Sequence, residues 1–147
     1  VEDCQVFLGI IRPLLGTGIL EPNGRSITAQ EFDRAIEIGM PRFVLVDYRV
    51  EFAHKFLKLM GQDLAAIPNY KERTVKRDGN MVVERKPNLI VHGECVDVYR
   101  KAVQDNVPRP MDRIGNWAQP YKDYQDISRF VEAQFQNVER IKMLLHG

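Results

Sequence analysis

Between Cys4 and Tyr48 the chain runs through an apolar β-branched segment, a Gly/Pro-rich segment, an amphipathic segment and a second apolar segment. Few folds accept that order. Residues 5–11 (QVFLGII) are short, apolar and bounded by Pro13, the pattern of a strand buried on both faces at the centre of a parallel sheet. Residues 43–46 (FVLV) repeat the pattern and end in Asp47 and Tyr48. The segment between them predicts a helix from Thr28 to Gly39. Phe32, Ala35, Ile36 and Met40 form its apolar stripe, and Gly39 with Pro41 forms its stop. Thr28 and Glu31 have the spacing of a capping box, which would place Glu31 at the third helical position. A strand, a helix and a second strand in this order imply a right-handed parallel crossover, and open parallel sheets take ligands beyond the carboxyl ends of their strands.

The rest of the chain decorates this core. Residues 12–25 hold Pro13, Gly16, Gly18, Pro22 and Gly24, and so read as a long loop able to cover a ligand or meet another subunit. Residues 50–60 read as a helix with Phe52, Phe56 and Leu59 near one face. Asp78-Gly79 between residues 70–77 and 81–86 is a hairpin signal. Residues 88–91 suggest a short strand, 94–106 a helix, and 107–120 a rigid loop carrying Arg113 and Trp117, with Trp117 as an anchor or a stacking platform. Ile127, Phe130 or Val131, Phe135, Val138, Ile141 and Leu145 recur at helical spacing through a long final helix from about Asp123 to Leu145. The expected fold is a single α/β domain: a parallel Rossmann-like or flavodoxin-like sheet, flanking helices, an inserted hairpin and a C-terminal helix.

Charge narrows the partners. Twenty-one basic and 20 acidic residues leave a net charge of +1, too balanced for nucleic acid or an anionic membrane to be the expected main partner. The only basic clusters, residues 71–77 and 84–86, contain acidic residues and read as a solvated hairpin face. Cys4 and Cys95 are too few for a disulfide framework. Cys95, near a helix start, is either a small buried residue or a thiol of lowered pKa. His54, His92 and His146 lack ligand-like spacing, so no metal is expected. No apolar run approaches the length of a membrane span, which makes the cytoplasm the default location. The first residue is Val1 rather than Met, as in a piece of a longer protein.

The segment from Cys4 to Gly18, with the one from Ser26 to Val46, resembles a bacterial domain family of unknown function. That family is related in fold to Toll/interleukin-1 receptor (TIR) domains and nucleoside 2-deoxyribosyltransferases. The matching positions are Arg12, Gly16, Ser26, Glu31, Ala35, Gly39, Pro41 and Val44 to Val46, and residues 94–102 and 115–135 are similar to sequences that follow this core in some members. The resemblance implies a module at the front of a multidomain signalling or defence protein. By motif, Glu31 takes the position of the glutamate that acts at the ribose anomeric centre, where a carboxylate can stabilise or capture developing positive charge. Its other role is a simple cap. Arg12 would bind a phosphate or form a surface ion pair, and Gly16 would belong to the ligand loop. Ser26 would start the helix or touch a ribose, and Asp47 and Tyr48 would contact a base or simply end the strand. The related folds begin with a further strand, loop and helix that have no counterpart before Cys4. Two functions follow. One is a nucleotide-sensing or self-associating module with no chemistry of its own, whose partners are a nucleotide such as NAD, other copies, or a preceding segment of the parent protein. The alternative is a Glu31-dependent hydrolase or transferase acting on the glycosyl bond of NAD or a nucleoside.

Overall fold

The computed structural model describes residues 4–14, 26–62, 70–87, 91–113 and 116–146. Three parallel strands form its sheet: β1 (Phe7–Ile11), β2 (Arg42–Asp47) and β5 (Asn116–Tyr121), in the order β1-β2-β5. Registers run from Phe7 opposite Arg42 to Ile11 opposite Val46, and from Arg42 opposite Asn116 to Asp47 opposite Tyr121. The helices are α1 (Ile27–Glu37), α2 (Tyr48–Leu59), α3 (Gly93–Ala102), α4 (Tyr124–Phe135) and α5 (Val138–His146). The hairpin pairs β3 (Tyr70–Arg77) with β4 (Asn80–Pro87). The parallel α/β sheet with flanking helices and a separate hairpin is the architecture the sequence pattern predicts.

β2 is buried at every position, and its alternation divides the core. Val44 and Val46 face Phe32 of α1, Val50 of α2 and Val96 of α3 on one side of the sheet. Phe43 and Leu45 face Phe130 and Phe135 of α4 on the other. Gly9 leaves room for the Phe32 ring to lie against β1, where it meets Phe7 edge-on at 4.9 Å between centroids. The hairpin turn has positive φ at both Asp78 (49°) and Gly79 (79°), the type I′ geometry that matches strand twist.

Four expectations need correction. β1 is an edge rather than a centre among the described strands, and Leu8 and Ile10 remain exposed on its α4 side. The expected rigid loop of 107–120 contains β5, including Pro120. A proline fits there because β5 is also an edge among the described strands, so the missing N–H breaks no ladder. The C-terminal helical stretch is broken after Phe135, where the Asn137 side chain accepts from the Arg140 amide and starts a new helix, α5. Finally, α3 ends at Ala102, short of the expected Asn106, and Gln104 takes a positive φ of 53°. Residues 88–90 of the strand expected at 88–91 and most of the 12–25 loop lie outside the described residues, as does the Trp117 side chain.

Candidate functional site at the strand ends

α1 begins at Ser26, not Thr28. The Ser26 hydroxyl accepts from the Ala29 amide at 3.2 Å, so Ser26 is the N-cap. The predicted capping box is therefore absent, because Glu31 falls in the second turn, out of reach of the cap amide. The Ser26 hydroxyl and amide in turn donate to Glu94 Oε1 at 3.3 and 3.0 Å. An acidic side chain from α3 thus sits at the positive end of α1, where the helix dipole favours it. The same junction is tied from the strand side, where the His92 amide donates to the Pro13 carbonyl at 2.7 Å.

Beside this clamp lies a cavity of about 70 Å³ bordered by Ile11, Arg12, Ser26, Thr28, Ala29 and Cys95. Its size is that of one phosphate or carboxylate group. Arg12 is exposed, and its charge reaches both Cys95 and Tyr121. Cys95 is buried, and burial pushes its thiol up to about 12, which makes it an inert lining residue rather than an activated nucleophile.

Asp47 and Tyr48 stand at the end of the central strand, as the sequence implies, with different roles. Asp47 is buried and caps α2: Oδ1 accepts from the Arg49 amide at 2.9 Å and from Arg49 Nε at 2.8 Å, and Oδ2 accepts from Nη2 at 2.9 Å. The side-chain bond to Arg49 holds the carboxyl below its ordinary range against the opposing effect of burial. Tyr48 is exposed, with the Arg49 guanidinium 5.8 Å from its ring centroid. Tyr121 lies opposite Asp47 in β5, with its hydroxyl 3.5 Å from the Ile11 carbonyl. Burial, and then the Asp47 charge, raise its pKa. Arg12, Ser26, Asp47 and Tyr48 thus collect around the strand ends. Glu31 is exposed one turn along α1 and is not among the described residues that border the cavity, and Gly16 lies outside the described residues.

Sequence reasoning missed three participants: Glu94, Arg49 and Tyr121. Arg49 was within reach, because an acidic strand terminus followed two residues later by arginine is an Asx-type cap with a ready counter-ion. Glu94 carried no such signal, since its partner is 68 residues away.

A second feature begins at the same place. From Tyr48, α2 sends Phe52, Phe56 and Leu59 outward along one face, 68%, 51% and 86% exposed. The two phenylalanine rings stack at 6.1 Å between centroids. The sequence shows that these residues share a face, and the structure shows that this face meets solvent.

A parallel α/β sheet with a guanidinium and a helix N-terminus gathered beyond its strand ends defines the general class, an open α/β domain with an anion-sized recess at the usual ligand position. Within that class, residues 1–92 match the family described as a domain of unknown function (DUF4062), and the chain belongs to that family. No curated protein and no solved structure matches the chain. Among the described residues, no helix is long and apolar enough to cross a membrane.

Proposed function

We propose that this domain is a self-associating module whose assembly responds to a phosphate-bearing nucleotide at the strand ends. The observation that carries the reading is the outward aromatic stripe of α2. Phe52, Phe56, Leu59 and Met60 are all more than half exposed. At roughly 150–250 Å² for a whole aromatic side chain, the stripe presents on the order of 500 Å² of apolar surface. That is near the upper end of what monomers expose, and a large part of the roughly 800 Å² that each partner contributes to a stable interface. A helix face of this kind packs on its own copy about a two-fold axis without any other surface.

The recess and the stripe are linked through the first turn of α2. Asp47 caps the helix and Tyr48 opens the stripe, while Arg49 binds Asp47 and reaches Tyr121 with its charge. A phosphate held by Arg12 would have to displace the Glu94 carboxylate from the start of α1, and its charge would reach Arg49 and the start of α2 through Tyr121, which both arginines influence. The resemblance to a family related in fold to TIR domains, with members at the front of bacterial signalling or defence proteins, supports the same reading. The alternative, cleavage of a glycosyl bond in NAD or a nucleoside through Glu31, has its carboxylate exposed and away from the cavity lining, so the geometry favours it less.

Sedimentation velocity over a concentration series tests the proposal, with and without NAD or ATP. The chain should form dimers or larger species, shifted by nucleotide, and Phe52→Ser/Phe56→Ser should sediment as a monomer of unchanged far-UV circular dichroism. A wild-type chain that stays monomeric throughout would refute self-association.

A further inference from the structure

The β3–β4 hairpin is displayed rather than packed. Its strands pair with each other over their full length and make no extensive contact with another described element. Of its described side chains only Val75 and Glu84 are half-buried, and the others are exposed. Two-stranded ribbons are marginal in water on their own, so one held out in this way is retained for what it contacts.

Because side chains alternate along a strand and register partners share a face, one face carries Lys71 opposite Lys86, Arg73 opposite Glu84, Val75 opposite Val82 and Arg77 opposite Asn80. Four cations thus face the same way with a single carboxylate. That carboxylate is clasped on both sides: Glu84 accepts from Arg73 at 3.0 Å and also from Arg77. Among the described residues the lysine pair has no such relief. Like charges directly opposite each other destabilise a ribbon, and an anion lying across Lys71 and Lys86 would turn that repulsion into attraction. The near-neutral charge of the whole chain conceals this local excess, because the compensating acidic residues lie elsewhere.

We propose that this face is a docking surface for duplex DNA, with the ribbon entering the major groove. Eight residues per strand give a ribbon of about 27 Å, and a two-stranded ribbon fits the roughly 12 Å groove of B-form DNA. The deep, narrow major groove of A-form RNA would not admit it. The face offers phosphate-binding cations and, apart from Asn80 at its tip, no amide or hydroxyl side chain for reading base edges. Both arginines of this face are bonded to Glu84, which leaves the lysines to bind phosphates, so the contact is mainly electrostatic and only weakly dependent on sequence.

Fluorescence anisotropy of the full chain with a labelled duplex of arbitrary sequence tests this across a salt series. Four cations less one carboxylate predict a slope of log K against log salt of roughly −3, which is about a 60-fold loss of affinity between 50 and 200 mM. Lys71→Gln/Lys86→Gln should bring the slope toward roughly −1. Arg140→Gln/Lys142→Gln on α5 removes the same net charge and should leave the slope unchanged. An equal effect of both pairs, or no duplex binding at low salt, would overturn the proposal. So would binding to phosphatidylserine vesicles without binding to duplex, which would assign the face to a membrane surface instead.

Discussion

Glu94 reaches back across 68 residues to Ser26, and one carboxylate oxygen accepts from both the Ser26 amide at 3.0 Å and the Ser26 hydroxyl at 3.3 Å. The hydroxyl passes the arrangement on by accepting from the Ala29 amide. This chain of bonds fixes where α1 begins and joins it to α3 beside the recess. Glu94→Ala leaves a buried serine without its acceptor and should cost about 1–3 kcal/mol. Ser26→Ala removes the cap and should cost about 1 kcal/mol. In urea unfolding, the double variant should lose clearly less than the sum of the single losses, because each change removes the same bond. Strict additivity would mean that the two groups do not interact.

Gly9 is the close-approach point of the sheet. A Cβ at that position would lie 2.1 Å from Cζ of Phe32, which is itself buried against α3 and β2. Gly9→Ala should destabilise by about 1–3 kcal/mol through overpacking. Adding Phe32→Leu, which shortens the offending side chain, should recover a good part of that loss in thermal melts. A tolerated Gly9→Ala would mean that α1 moves away from the sheet at little cost.

The two observations mark what was legible in the sequence. Periodicity exposed β1, α1, β2 and the hairpin, because each buries its apolar residues at the spacing of its own secondary structure or turns on Asp78-Gly79. It failed at β5, where Pro120 looks like a breaker although an edge strand tolerates it. It also misplaced the cap of α1. Thr28 and Glu31 carry a capping-box pattern, but Ser26, two residues earlier, has the long-range acceptor that decides the start. Arg12, Ser26, Asp47 and Tyr48 were legible as strand-end and helix-start residues. Their partners Glu94 and Tyr121 come from distant elements and leave no local trace. Whether a helix face meets solvent, as the α2 stripe does, depends on which neighbours arrive, and spacing alone cannot state that.

Arg42 is fully buried at the start of β2, with Nη1 donating to the carbonyls of Met40 at 3.0 Å and Ala35 at 3.5 Å at the end of α1. Among the described residues its Nε and Nη2 have no hydrogen-bond partner, and burial lowers its pKa. The negative end of the helix offsets part of the cost of burying the charge, but no carboxylate is bonded to it. Arg42→Met keeps the length of the stem and removes both the charge and the unmet donors. It should unfold at equal or higher denaturant concentration, a gain of up to about 2 kcal/mol. A clear loss of stability would show that the guanidinium is better compensated than its two carbonyl bonds indicate.

His54 joins α2 to the segment after α3: Nε2 lies 3.4 Å from Asp105 Oδ2, and the ring meets Tyr99 edge-on at 5.3 Å. Asp105 also accepts from Lys58 at 2.8 Å, and its carboxyl is held below the usual range, chiefly by that bond. Burial is the largest influence on His54 and lowers its pKa below 6.5 despite the nearby carboxylate, with Lys58 and Arg100 adding to the effect. His92 is lowered by burial as well. A histidine with a depressed folded pKa binds its proton more readily when unfolded. Its contribution to stability is therefore complete above about pH 6.5 and is lost as pH falls from there through the folded value. Asp105 adds a second loss below about pH 4, as its depressed carboxyl is protonated. Thermal melts should thus decline from pH 7 to pH 5 before Asp105 is protonated. His54→Gln should flatten that decline by up to one proton, about 1.4 kcal/mol per pH unit, and leave the part due to His92. If the variant declines as steeply as the wild type over this range, His54 is not the group being titrated.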